Sequence, residues 1–113
     1  MPPKQHDAFA LEMTIATRLE RKGRLSRAFA HLERAHVLGQ VYVIAHTRVH
    51  WRMFLIACRR RDLAAAWGQG LRVLLGALAS ALGRVPIGNT GGTNIGMFAR
   101  LPIPADLEEL MKE

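Results

Sequence analysis

Apolar residues recur at helical spacing along residues 6–82, and only short stretches with helix-ending signals interrupt the pattern. We therefore predict four helices, at 6–22, 25–38, 41–60 and 62–82. Gly23 and Gly39 are expected to end the first two, and Asp62 to be the N-cap of the fourth. A short fifth helix is predicted at Ala105–Met111, opened by a proline and followed by acidic residues.

The third predicted helix is apolar around most of its circumference, which is typical of a helix in the middle of a bundle. Trp51 and Phe54 are therefore expected to be buried, and Cys58 to be an inert buried thiol. The fourth helix contains three glycines that would admit close packing of a neighbouring helix: Gly68, Gly70 and Gly76.

Small residues mark a possible internal repeat. Gly23, Ala28 and Ala35 have the spacing of a tetratricopeptide-type hairpin, and a poorer copy follows 38 residues later at Arg61, Ala66 and Val73. The predicted fold is therefore all-α, with antiparallel helical hairpins in a tetratricopeptide-like bundle of four main helices plus a short C-terminal helix. We expect a single helical domain over residues 1–113, with a Gly/Asn-rich loop at 84–98.

The single cysteine excludes an internal disulfide and every multi-cysteine zinc motif, so any metal chemistry falls to histidine and carboxylate. The N-terminus lacks the layout of a signal peptide, and polar residues interrupt the apolar runs before a bilayer could be crossed. These features predict a cytoplasmic protein without a membrane partner.

A formal net charge of +7 favours anionic partners, nucleic acid included. The basic residues cluster near the predicted helix ends, where cations complement the helix dipole; they are Arg18, Arg21, Lys22, Arg24, Arg27, Arg59, Arg60 and Arg61. Nucleic-acid binding would also need exposed aromatic residues or a recognised motif, and neither is expected. It is possible on charge but is not the favoured function.

Four of the five histidines and one glutamate lie within residues 31–50. Glu33 and His36 are three apart and His46 and His50 four apart, so each pair projects from one helical face. Three imidazoles and a carboxylate suit Zn, Cu, Ni or Fe, of which Zn is the default. The candidate ligands are therefore Glu33, His36, His46 and His50, whereas His31 faces away from Glu33 and is expected at the surface.

The same residues have a purely structural interpretation, in which a buried glutamate bonds a histidine and the other histidines are half exposed. Met53 continues the stripe of His46 and His50 and would favour copper(I), although a methionine at helical spacing is more often part of the core. The GNTGGTN loop lacks the order of a Walker phosphate loop. It is expected to be a structural turn, with anion binding or coverage of a metal-bound ligand as the alternative.

Several stretches together resemble a small bacterial family of unknown function and about this length, associated with metal-resistance gene neighbourhoods. They are LERAHVLGQ at 32–40, HTRVHWRM at 46–53, RDLAAAWGQGLR at 61–72, GRVPIGNTGGTN at 83–94 and LPIPADL at 101–107. The resemblance implies a bacterial, intracellular, helical protein linked to metals. Its motifs include all four candidate ligands and the GNTG loop at Gly88–Gly91, whereas His31 and Cys58 lie outside them.

The sequence thus predicts an intracellular transition-metal-binding protein with a His/Glu site between the second and third helices. One alternative is a small mononuclear metalloenzyme on the same site, in which an open coordination position holds water or O2. Another is a basic helical interaction module that binds nucleic acid or a peptide. The oligomeric state is left open.

Overall fold

The computed structural model describes residues 1–82 and 101–112, which form five α-helices and, within those ranges, no strand. The helices are α1 (Pro3–Arg21), α2 (Leu25–Gly39), α3 (Val43–Arg59), α4 (Leu63–Ala81) and α5 (Ala105–Met111). The predicted all-α fold, with four main helices and a short fifth, is confirmed. The Gly/Asn-rich loop predicted at 84–98 lies outside the described residues, so its role stays a prediction.

The turn between α1 and α2 is built on a glycine. Gly23 adopts a φ of 75°, in the left-handed region that an L side chain rarely enters. Its N–H donates to the carbonyl of Glu20 at 2.9 Å, and the N–H of Arg24 donates to the carbonyl of Leu19 at 2.9 Å. This pair of bonds is the Schellman motif, which satisfies carbonyls that the end of a helix leaves unpaired.

The turn between α3 and α4 repeats this arrangement with an arginine in the glycine's place. Arg61 has a φ of 56°, its N–H donates to the carbonyl of Cys58 at 3.0 Å, and the N–H of Asp62 donates to the carbonyl of Ala57 at 3.0 Å. The predicted N-cap is confirmed, because the Asp62 carboxylate accepts a bond from the N–H of Ala65 at 3.0 Å. The left-handed residues of the two turns, Gly23 and Arg61, lie 38 residues apart, the same displacement as between the two copies of the small-residue pattern and four more than in a tetratricopeptide repeat.

Replacing Arg61 with glycine should stabilise the protein by about 0.5–1 kcal/mol, since it removes the left-handed strain at some cost in unfolded-state entropy. Urea unfolding followed by circular dichroism measures the change. Arg60→Gly is the matched control, because Arg60 has a right-handed φ of −79° and a glycine there should only destabilise. Equal effects of the two substitutions would contradict the prediction.

The four main helices pack as two antiparallel hairpins. Within the first, the Gln5 amide near the start of α1 donates to the carbonyl of Leu38 near the end of α2 at 2.7 Å. α3 packs along α4 in the same manner, the contact between α2 and α3 is smaller, and α5 lies against α1 and α2. The hairpins therefore meet mainly through α2 and α3.

The described core lies between α1, α2 and α3, and α5 closes one side of it. Leu107 of α5 is almost fully buried there. The other buried apolar members of this core are Phe9, Met13, Ala16, Ala28, Leu32, Ala35, Val37, Leu38, Ala45, Val49, Met53 and Ile56. Met53 thus occupies the core position that its helical spacing favours. No helix in the described ranges combines the length and the apolar character needed to cross a membrane.

A polar network links α1, α2 and α5 and corrects the expectation for His31. The buried Glu12 carboxylate bonds Nδ1 of His31 at 2.6 Å and accepts from Nε of Arg34 at 2.9 Å. Arg34 also pairs with Asp106, which lowers the pKa of that carboxyl below its usual value. His31 was expected at the surface. It is instead half-buried, because its side chain packs toward α1 and bonds the Glu12 carboxylate there.

Three further expectations for α3 were wrong. Trp51 is 52% exposed, Phe54 is only half-buried, and Cys58 is exposed. Trp51 and Cys58 are seven residues apart and share one helical face, while the buried side chains of α3 lie on another face: Ala45, His46, Val49, His50, Met53, Ile56 and Ala57. Since apolar residues occur on every side of α3, their pattern could not indicate which face is left open.

Candidate metal centre

Three histidines from two helices converge at the junction of α2, α3 and α4. His36 comes from the last turn of α2, and His46 and His50 come from successive turns of α3. The spacing of four residues puts the second pair on one face, toward α2 and α4. All three side chains are buried, with residue exposures of 3%, 6% and 2% respectively.

One nitrogen of each imidazole faces the same small space between the three rings. The Nε2 atoms of His36, His46 and His50 form a triangle in which each edge is 3.0 Å. An ion placed about 2.05 Å from all three, a usual Zn–N bond length, would make N–Zn–N angles of about 94°. The three nitrogens would therefore occupy one face of the ion and leave its opposite side for further ligands.

A residue of α4 fixes the orientation of one ring. Nδ1 of His50 lies 2.7 Å from Oε1 of the buried Gln69. An amide oxygen only accepts, so Nδ1 of His50 carries the proton and Nε2 of the neutral ring presents its lone pair to the triangle. A partner that holds the outer nitrogen in this way is typical of a metal-binding histidine.

The site keeps two of its imidazoles neutral. Burial lowers the pKa of His46 to about 4. Burial also lowers the pKa of His50 to about 4; the bond to Gln69 opposes this shift, and the positive charge of Arg72 and the charge that His46 would carry if protonated add to it. Both rings are therefore unprotonated at neutral pH, so a cation would not have to displace a proton from them.

One stripe of α4 faces the histidines. It consists of Gln69, the buried Arg72 and Gly76, at the i, i+3 and i+7 positions of a helix. A Cβ atom at Gly76 would lie 3.1 Å from Cε1 of His46, closer than ordinary contact, so the glycine makes room for that ring. Gly70, by contrast, has nothing within 4 Å of such an atom. The expected close packing at the α4 glycines therefore holds at Gly76 and not at Gly70.

The contribution of α4 to the site was not predicted from the sequence. The available signal was polar residues in a helix made mostly of leucine, alanine and glycine, namely Gln69 and Arg72. A buried amide and a buried guanidinium need partners, which indicates a polar site nearby. Arg72 donates to the carbonyl of Gly68 at 3.5 Å, and burial lowers its pKa.

The structure brings together three of the four predicted ligands. The ligand atoms of His36, His46 and His50 all lie within 4.8 Å of one another, and this group is the one found among the described residues. Glu33 lies one turn before His36 on α2, is half-buried, and is not a member of the group. Its role as a ligand stays a prediction.

The fold and the site together define a small all-α protein with a buried cluster of three histidines. The chain belongs to the family described as protein of unknown function DUF3703, whose model matches residues 3–111. The expected membership of an uncharacterised family is thereby confirmed. Comparison with curated proteins and comparison with solved structures each gave no match.

Proposed function

We propose that this protein binds a transition-metal ion through Nε2 of His36, His46 and His50. The observation that carries the proposal is the triangle of three buried nitrogens with 3.0 Å edges. Imidazole is the commonest protein ligand for transition metals, and three such nitrogens facing one point provide most of a first coordination shell.

Hydrogen bonds cannot account for all three short contacts between the Nε2 atoms. Each neutral imidazole has one N–H, and that of His50 is directed outward to Gln69. His50 can therefore only accept at Nε2, and at most two of the three short contacts can be hydrogen bonds. A cation at the centre of the face would use all three lone pairs at once.

We propose Zn as the default ion, with Cu, Ni or Fe as alternatives. Three imidazole nitrogens leave at least one position for another ligand, and Glu33 is our candidate for it because the sequence puts it one helical turn from His36. Glu33→Gln tests this role, since loss of the carboxylate charge should weaken zinc binding about tenfold or more if it ligates.

The test of the proposal is metal retention by protein purified without a His tag. We expect about one Zn per chain by elemental analysis after incubation with zinc and desalting, and loss of retention when His46→Ala and His50→Ala are combined. His6→Ala is the matched control, because His6 is exposed and outside the triangle. Unchanged retention in the double variant, or none in the wild type, would refute the proposal.

A mononuclear metalloenzyme on the same site is the second candidate, because three histidine nitrogens would leave a coordination position of the ion for water or a substrate. Cobalt-substituted protein should then change its visible spectrum on addition of azide, which occupies exchangeable positions. An unchanged spectrum would indicate a closed site and would favour metal storage, sensing or transfer instead.

A further inference from the structure

A groove of about 720 Å³ lies on the other side of α3 from the histidines, between α3 and α1. Phe9 of α1 lies below Arg48 of α3, with the guanidinium carbon 5.9 Å from the ring centroid. Nearer the end of α1, Glu20 pairs with Arg52 and Arg59. An early residue of α1 therefore meets an early residue of α3, and a late residue of α1 meets later residues of α3. The two helices run in the same direction.

The groove has an apolar floor and exposed apolar side chains on one wall. Buried Phe9, Met13 and Ala45 form the floor. On the α3 wall, Ile44 is 78% exposed and Trp51 is 52% exposed. Large apolar side chains in contact with water at a concave surface are typical of a docking site.

Cations line both walls of the groove. Arg18 and Arg21 come from α1, and Arg48 and Arg52 come from α3, whereas no acidic residue is among the described residues that line it. Arg52 is paired with Glu20, but the other three make no ion pair within residues 1–82 and 101–112. An apolar floor flanked by three arginines that form no ion pair in that part of the chain is complementary to an apolar stripe flanked by acidic residues.

The length of the groove fits a helix. Its α1 wall extends from His6 to Arg21 and its α3 wall from Ile44 to Arg52. At 1.5 Å per residue these walls are about 22 Å and about 12 Å long, which corresponds to two to four helical turns. A helix with apolar residues at i, i+3, i+4 and i+7 lays its side chains into such a groove.

We propose that the groove between α1 and α3 binds an acidic amphipathic helix of a partner protein. The apolar stripe of the partner covers Ile44 and Trp51, and its flanking carboxylates pair with Arg18, Arg21 and Arg48. This proposal does not depend on metal binding, because it uses the opposite face of α3. Peptide is favoured over nucleic acid because the floor of the groove is formed by apolar side chains, which match the apolar stripe of a helix.

The test uses three fluorescein-labelled synthetic peptides of about 16 residues, enough for four helical turns. The first places leucines at helical spacing with glutamates on both flanks, the second has the same composition in scrambled order, and the third replaces glutamate with lysine. We expect anisotropy to show binding of the first peptide at least about tenfold tighter than of the other two. Absence of this preference would overturn the proposal.

Two double variants test whether the acidic peptide binds in the groove between α1 and α3. Arg18→Glu combined with Arg48→Glu should weaken binding of the acidic peptide at least about tenfold, since it reverses two charges on opposite walls. The matched control is Arg24→Glu with Arg27→Glu, which makes the same change of net charge at exposed residues outside the groove. Equal losses in both double variants would show a nonspecific charge effect and would overturn the proposal.

A single-stranded oligonucleotide of about fifteen nucleotides separates the peptide from a nucleic-acid partner. If it binds more tightly than the acidic peptide and the groove variant abolishes that binding, the groove is a nucleic-acid site and the proposal is wrong. Weaker oligonucleotide binding, affected equally by both double variants, supports it. Thermal unfolding of every variant verifies that the fold is retained.

Discussion

The free energy of unfolding of the metal-free protein should fall steeply as the pH is lowered from about 6.5 to about 4. In the unfolded chain His46 and His50 bind protons below their ordinary pKa of 6.5, whereas in the folded protein burial lowers both pKa values to about 4. Between these limits the unfolded state binds more protons, so stability is present above pH 6.5 and is lost on acidification. The expected loss is about 3 kcal/mol for each histidine.

Urea unfolding in the presence of a chelator, at half-unit steps from pH 7 to pH 4, measures this dependence. A variant with His46→Gln and His50→Gln should be much less sensitive over the same interval. The Arg34–Asp106 pair does not confuse the result, because the ordinary pKa of this carboxyl is 3.8 and pairing with Arg34 lowers it, so its contribution to stability is lost mainly below the measured range. Equal stability of the wild type at pH 7 and pH 5 would contradict the prediction.

Substitution of Gly76 by alanine should weaken zinc binding by about tenfold to a hundredfold, the usual effect of disturbing groups that support a metal ligand. The added methyl group would meet Cε1 of His46 at 3.1 Å, and the ring would have to move by a few tenths of an ångström. That movement would displace Nε2 of His46 from its place in the triangle by a comparable distance, enough to distort metal coordination. Stability should change little, because the better helix propensity of alanine offsets the crowding.

Gly70→Ala on the same helix is the control. Its methyl group meets nothing within 4 Å, so zinc affinity should be unchanged while stability rises by about 0.5–1 kcal/mol. Calorimetric zinc titration and urea unfolding of both variants provide the two measurements. Equal zinc affinities for the two variants would show that the contact between Gly76 and His46 does not control the site.

The fold was predictable where local chemistry decides it. Gly23 and Asp62 marked the helix ends correctly, because a left-handed turn and an N-cap each depend on a few neighbouring residues. The two turns, 38 residues apart, also share the same backbone conformation, with Gly23 and Arg61 both at positive φ. Their equivalence was harder to recognise because Arg61 occupies the left-handed position in the second.

The candidate site was predictable in part, since helical spacing brought His46 and His50 to one face and His36 to the end of α2. Spacing within a helix does not determine how far a neighbouring helix is rotated or displaced along its axis. That arrangement decided that His36 meets the other two rings while Glu33 lies outside the group, and that Gln69 of α4 reaches His50. The exposure of Trp51 likewise depended on which face of α3 the other helices leave uncovered.

The triangle joins the two hairpins, because His36 belongs to the first and the other histidines belong to the second. The packing of α2 on α3 is the smallest of the contacts between neighbouring main helices. A bound ion would therefore act as a cross-link between halves of the molecule that otherwise share a modest interface. Amide hydrogen exchange in α3 and α4 would then slow on metal addition, because detaching the second half would require breaking coordinate bonds.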